Sequence, residues 1–258
     1  MIQEADHTDS HDVTDGSLHT SLTKMHDNED VSVHILPLWF TLLDVLDHYF
    51  VECRSGGTIP PGRTASFALV QASYSYWMAS VSLTLSGLLT PAYAEMRAVF
   101  ESMLYAFYCR DDEARQIVWL ERNDSQEAFR SARKMFSNVG AMRRELATAE
   151  ILPVSTESLD ELYDSLVDRG AHPNATGTLQ NMGHDGGQIL TKLFNCGGLD
   201  MRRALNYLAE TGYAATRVSR FLLQLPLPPP NIPMWIQSLA RIPLAEESDP
   251  TSWAKEGA

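Results

Sequence analysis

The 258-residue chain has few cysteines, and they lie too far apart to form a recognisable metal or redox motif. The three thiols are Cys53, Cys109 and Cys196, with no CxxC pair among them. An odd number of widely spaced thiols argues against a disulfide framework and is typical of a reduced, cytoplasmic protein. The N-terminus also lacks a basic stretch followed by an apolar segment. We therefore predict a cytoplasmic location without a secretory signal.

Basic residues are scarce as well. The chain has 20 of them against 33 acidic residues, a formal charge of −13. Residues 1–30 alone hold eight carboxylates and a single basic residue, Lys24. An acidic body argues against a broad binding surface for nucleic acid. We therefore predict no nucleic-acid partner unless the protein acts as a ribonuclease.

Charge is missing altogether between Arg63 and Glu95. Polar residues nevertheless recur through this stretch, too often for a helix that faces lipid; they are Ser66, Gln71, Ser73, Ser75, Ser80, Ser82, Thr84 and Ser86. We predict a helix buried in a helical bundle and no membrane partner. The small serine and alanine side chains would let neighbouring helices approach closely.

The chain contains none of the common catalytic or cofactor motifs. HExxH, GxSxG, GxGxxG and Walker sequences are all missing, so the zinc-peptidase, hydrolase, dinucleotide-binding and P-loop signatures are excluded. No cofactor is predicted.

Two groups of residues raise the question of a metal site. Asp44, His48 and Glu52 form an i, i+4, i+8 row that could supply ligands from one helix. The acidic arm also carries four histidines, at a spacing that matches no ligand pattern; they are His7, His11, His19 and His26. A solvated helix face and a flexible arm explain these groups better than metal ligation does, so no metal site is predicted.

The long apolar segments repeat with the period of a helix, and no long segment alternates as a strand does. We predict an all-α bundle of six to seven helices, with one small β-hairpin near residues 179–194. Residues 1–30 would form an acidic flexible arm, residues 31–225 a single helical-bundle domain, and residues 226–258 a proline-rich strap and tail.

The bundle is expected to be organised around a helix over residues 90–109. Thr90 can cap it and Pro91 suits its first turn. Its apolar stripe consists of Met96, Phe100, Met103, Leu104 and Phe107. Arg97 and Glu101 lie four residues apart at the edge of this stripe, among aromatic residues. We predict a partly buried ion pair that either ties two helices together or binds a ligand.

Further polar residues lie near a sharp helix end. Tyr163 precedes the segment Arg169-Gly170-Ala171-His172-Pro173-Asn174, in which Pro173 holds His172 in an extended conformation. His172 could transfer a proton, or its ring could cap the preceding helix. The predicted binding residues are therefore Arg97, Glu101, Tyr163, His172 and Asn174.

The pattern of these elements resembles bacterial all-helical families at the edge of the HEPN superfamily (higher-eukaryote and prokaryote nucleotide-binding). The resemblance covers roughly residues 60–222 and rests on Arg97-xxx-Glu101, Tyr163 and His172-Pro173. It implies a metal-independent ribonuclease in which Arg169 holds a phosphate and His172 moves a proton. In HEPN ribonucleases the His follows the Arg by four to six residues. In this chain only two residues, Gly170 and Ala171, lie between Arg169 and His172.

Two hypotheses follow. The favoured one is a non-catalytic helical module, as a monomer or a homodimer, that binds a small ligand or a partner protein in a pocket lined by Arg97, Glu101 and His172. The alternative is a HEPN-type enzyme with Arg169 and His172 as catalytic candidates, which would have to converge in an open cleft.

Overall fold

A computed structural model describes residues 18–55, 62–171, 182–185, 188–191, 194 and 198–242. In these ranges the chain is an all-helical bundle, as the sequence predicts, with ten α-helices. None of the helices in these ranges is long and apolar enough to cross a membrane.

The first four helices are long. They are α1 (Leu18–Ile35), α2 (Pro37–Ser55), α3 (Thr64–Leu85) and α4 (Leu89–Cys109). Helix α1 begins within the stretch expected to be a flexible arm, so the boundary differs from the one predicted near residue 30. The reason is that α1 is anchored on the end of α3: the Ser32 hydroxyl donates to the Leu85 carbonyl at 2.7 Å, and the Asn28 amide donates to the Ser86 carbonyl at 3.1 Å.

Helices α3 and α4 form an antiparallel pair at the core. Gly87 lies in the turn between them with φ of 83°, a conformation that favours glycine. Ser66 donates its hydroxyl hydrogen to the Ala106 carbonyl at 2.8 Å, and Ser73 donates to the Val99 carbonyl at 3.4 Å. These two buried serines are thus satisfied by the backbone of α4, which explains how a helix with polar residues can be buried.

Three short helices follow: α5 (Glu113–Leu120), α6 (Gln126–Met135) and α7 (Val139–Thr148). Periodicity alone predicts one helix from residue 111 to 138, and this is wrong. The side chain of Ser125 accepts a hydrogen bond from the Ala128 amide and starts a new helix, and Asn138 does the same for Ala141. The break at Ser125 is one reason why the described ranges hold ten helices rather than six to seven, whereas a separate helix after Asn138 was expected.

The remaining elements are α8 (Thr156–Leu166), a π-helical turn (Val167–Ala171), strands β1 (Met182–Asp185) and β2 (Gln188–Thr191), α9 (Gly198–Leu222) and α10 (Ile232–Arg241). The two strands pair antiparallel, with Met182 opposite Thr191. The segment expected to be a proline-rich strap includes α10, which buries Ile232, Ile236 and Leu239. A helix forms there because three apolar residues recur at helical spacing.

Helix α9 packs against α2, α3, α4, α8 and α10. Gly212 allows a close approach to α3, because a Cβ atom at this position would lie 2.4 Å from the Trp77 ring. One turn later, the buried Arg217 donates to the Ile151 carbonyl at 2.6 Å and to the Pro228 carbonyl at 3.1 Å. Arg217 thereby holds the loops that lead into α8 and α10.

Candidate functional site

The structure brings Arg97, Glu101 and Tyr163 together, and we call these three residues the Glu101 cluster. Nε of Arg97 donates to Oε1 of Glu101 at 2.7 Å, across one turn of α4. The Tyr163 hydroxyl donates to the same oxygen at 2.8 Å, from α8. The Arg97 and Glu101 side chains remain 29% and 23% exposed, so the pair is only partly shielded from water.

Neighbouring side chains hold the Glu101 cluster in place. The rings of Phe100 and Tyr163 lie 5.7 Å apart, and the Arg143 guanidinium lies 4.6 Å from the Tyr163 ring. Arg143 also pairs with Asp160 at 2.7 Å, which joins α7 to α8. The cluster therefore links three helices, as expected of an architectural ion pair.

The electrostatics of the Glu101 cluster favour the arrangement seen. Burial, reinforced by the Glu101 carboxylate, raises the pKa of the Tyr163 hydroxyl, which keeps it a donor. Burial opposes the charged form of Arg97, but its hydrogen bond and ion pair with Glu101 raise its pKa overall. Burial and Glu101 also raise the pKa of nearby Tyr105 to about 12. All three groups are thus held in the protonation states that their hydrogen bonds require.

The other predicted site residues are placed differently. Arg169 lies in the π-helical turn with its guanidinium 5.8 Å from the Tyr93 ring of α4. Gly170 packs so closely on α4 that a Cβ atom would lie 2.4 Å from the Ala94 nitrogen. His172 and Asn174 lie outside the described residues, so the meeting of Arg169 with His172 stays a prediction.

In the row of Asp44, His48 and Glu52, the last two residues are engaged in ion pairs. His48 lies 3.3 Å from the Glu52 carboxylate, which also accepts a hydrogen bond from Arg220 of α9. The Arg220 hydrogen bond is the main reason that the pKa of Glu52 is lowered. Among the residues that the structure describes, no three His, Cys, Asp or Glu side chains could hold a metal ion together. His7 and His11 lie outside that part of the chain.

A cleft that sequence reasoning missed lies between α8, α9 and α10. Its volume is about 470 Å³, and we call it the Glu210 cleft. Its apolar walls include Leu152, Leu159, Leu162 and Ile236, each at most 7% exposed. The polar residues that line it are Ser158, Glu161, Ser165, Asn206, Tyr207, Glu210, Tyr213 and Gln237.

The polar side chains of the cleft are held in position by one another. The Asn206 amide donates to Oε1 of Glu210 at 3.0 Å, across one turn of α9. The Tyr207 hydroxyl lies 3.1 Å from the Ser165 hydroxyl and bridges α9 to α8. Burial raises the pKa of Glu210, and the Asn206 hydrogen bond opposes this effect only in part. In the described part of the chain no Lys, Arg or His pairs with the Glu210 carboxylate.

The sequence did hold one signal for this cleft. Asn206 and Glu210 are an i, i+4 polar pair flanked by Tyr207 and Tyr213, within a helix that is otherwise rich in Ala and Leu. Read alone, such a pair is typical of a solvated face. Only the packing of α8 and α10 against α9 turns it into the wall of a cleft.

Comparison with known proteins adds no relative to this geometry: no family model, no curated protein and no solved structure matches the chain.

Proposed function

We propose that this protein is a non-catalytic helical module that binds a small ligand in the Glu210 cleft. The cleft itself is the observation that carries the proposal. Its volume of about 470 Å³ falls within the range of small-molecule sites, ~300–1,000 Å³. Apolar walls with a few positioned polar groups are the usual composition of such sites.

The proposal places the ligand away from the pocket that the sequence suggested. Glu101 already accepts hydrogen bonds from Arg97 and Tyr163. A ligand at that oxygen would have to displace a charged partner, which costs free energy. Among the described residues the neutral Asn206 amide is the hydrogen-bond partner of Glu210, so a ligand can bind the carboxylate without breaking an ion pair seen there.

The chemistry of two cysteines supports a binding role rather than nucleophilic catalysis. Burial raises the pKa of Cys53 and of Cys109 to about 12, so both remain thiols at neutral pH. A thiol is a far weaker nucleophile than a thiolate.

A neutral solvatochromic dye, Nile red, tests the proposal. We expect its fluorescence to rise and shift to the blue when it binds the cleft. Gln237→Trp would place an indole at the cleft wall and should weaken dye binding about tenfold or more. Ser238→Trp is the matched control, because Ser238 is the next residue of the same helix, is equally exposed and does not line the cleft. Equal dye binding by the two variants would contradict the proposal.

The remaining predictions stand as separate proposals: a cytoplasmic location, a partner protein, a homodimer and the HEPN-type ribonuclease activity. Sedimentation equilibrium would test the homodimer, and an RNA cleavage assay would test the ribonuclease activity.

A further inference from the structure

The Glu210 cleft is lined by acidic residues without basic ones. Glu210 lies half-buried on its α9 wall and Glu161 lies exposed on its α8 wall. None of the described residues that line the cleft is Lys, Arg or His. Carboxylates in a cleft with apolar walls create a negative potential that attracts cations, because field lines concentrate where the dielectric constant is low.

The nearest guanidinium groups along α9 are engaged elsewhere. Arg203 pairs with Asp200 at 3.2 Å. Arg217 donates to the backbone carbonyls of Ile151 and Pro228, and to the Tyr213 hydroxyl at 3.2 Å. Within the described ranges Glu210 thus has no cationic partner, although a partly buried carboxylate is stabilised by one.

The walls indicate what the rest of a ligand must be. Leu159, Leu162 and Ile236 offer aliphatic surface. Tyr207 and Tyr213 also line the cleft, and the Tyr213 ring already has the Arg217 guanidinium 5.6 Å from its centre, which leaves Tyr207 as the ring for a ligand. Aromatic rings attract ammonium groups through their negative faces. A carboxylate beside a tyrosine ring and aliphatic side chains matches a molecule with a protonated nitrogen and an apolar body.

We infer that the Glu210 cleft binds an organic cation: an alkyl or aryl amine whose ammonium group pairs with the Glu210 carboxylate while its hydrocarbon part packs against the leucine and isoleucine walls. This inference rests on the proposed function and adds the chemical class of the ligand.

Three probes of equal chain length test the inference: n-octylamine, n-octanol and n-octanoate, titrated by calorimetry at pH 7.5. We expect octylamine to bind about tenfold more tightly than octanol, and octanoate to bind more weakly than both. The amine affinity should also fall as salt is added, because salt screens the ion pair. The Glu210→Gln variant should bind octylamine and octanol with equal affinity. Its affinity for octanol should equal that of the unmodified protein.

The outcomes separate the two proposals. If octanol and octylamine bind equally to the unmodified protein, the organic-cation inference is overturned while the cleft remains a ligand site. If none of the three probes binds and Nile red does not bind either, both proposals fail. A preference for octanoate would also overturn the inference. Should Glu210→Gln not fold, the three affinities of the unmodified protein and their salt dependence decide the matter alone.

Discussion

The Tyr163 hydroxyl lies 2.8 Å from Oε1 of Glu101, a residue 62 positions earlier in the chain. This hydrogen bond is the long-range contact that converts a local pair on one helix into a tie between α4 and α8. It also supplies a second donor to the carboxylate, so that loss of the Arg97 cation would leave Glu101 with Tyr163 as its remaining side-chain partner among the contacts described.

We expect Arg97→Ala to destabilise the fold by about 1–3 kcal/mol, because it removes the charged partner of a partly buried carboxylate. The loss is smaller than that for a fully buried pair, since both side chains keep about a quarter of their surface exposed. Urea denaturation measures the change. Arg130→Ala, at an exposed position of α6, is the control and should alter stability little. A variant that melts like the parent and yet loses ligand would make this cluster a binding site.

Two glycines provide a matched test of the packing between the π-helical turn and α4. Gly170→Ala should cost about 1–3 kcal/mol, because the new Cβ atom would lie 2.4 Å from the Ala94 nitrogen, which belongs to rigid backbone. Gly140→Ala should be neutral or stabilising by up to about 1 kcal/mol, because the nearest atoms to its Cβ lie 3.9 Å away and alanine favours a helix. Thermal melts of the two variants measure the difference. Equal melting temperatures would show that α4 and the turn are not in close contact.

Stability should depend on pH through Glu210. The folded protein raises the pKa of this carboxyl, so the folded state binds its proton more tightly than the unfolded state does. The stabilising contribution is therefore complete below the unfolded pKa, roughly 4.3, and is lost as pH rises through the folded pKa. Glu210→Gln removes the titrating carboxyl group and with it this pH dependence. We expect the variant to gain stability relative to the parent as pH increases from 4 to 7, measured by urea denaturation. A difference in the free energy of unfolding between variant and parent that stays constant from pH 4 to 7 would contradict the raised pKa of Glu210.

We expect the purified protein to leave single-stranded RNA intact in the presence of EDTA. Only two residues separate Arg169 from His172, and the Arg169 guanidinium lies over the Tyr93 ring. Cleavage would be measured on a gel with labelled RNA. The informative control is His172→Ala: activity in the parent that disappears in this variant, without a fall in melting temperature, would establish the HEPN-type enzyme.

The sequence predicts two of the long central helices closely. Segments 64–88 and 90–109 read as helices in the sequence, and the structure has α3 over Thr64–Leu85 and α4 over Leu89–Cys109. Helix α4 carries an apolar stripe, whereas α3 is uncharged, with apolar residues around its whole circumference, as is typical of a helix in the middle of a bundle. The break near Asn138 was also predicted, but the break at Ser125 was missed because it depends on one capping side chain, which changes the apolar pattern very little.

The candidate sites differ in how far the sequence could predict them. Arg97 and Glu101 share one helix, so their spacing alone predicts contact. The Glu210 cleft needs the packing of α8 and α10 on α9, and no local pattern encodes the distance between those helices. Glu210 therefore reads as a surface residue until the tertiary contacts are known.

Arg217 joins the loops that precede the two helices facing α9 across the Glu210 cleft. Its guanidinium binds the Ile151 carbonyl, ahead of α8, and the Pro228 carbonyl, ahead of α10, so the two helices opposite α9 begin at a separation fixed by one rigid, planar group. A cleft of fixed width selects its ligand by the thickness of the ligand. Straight alkyl chains and flat aromatic ligands should enter, whereas ligands with bulky, non-planar bodies should be excluded whatever charge they carry.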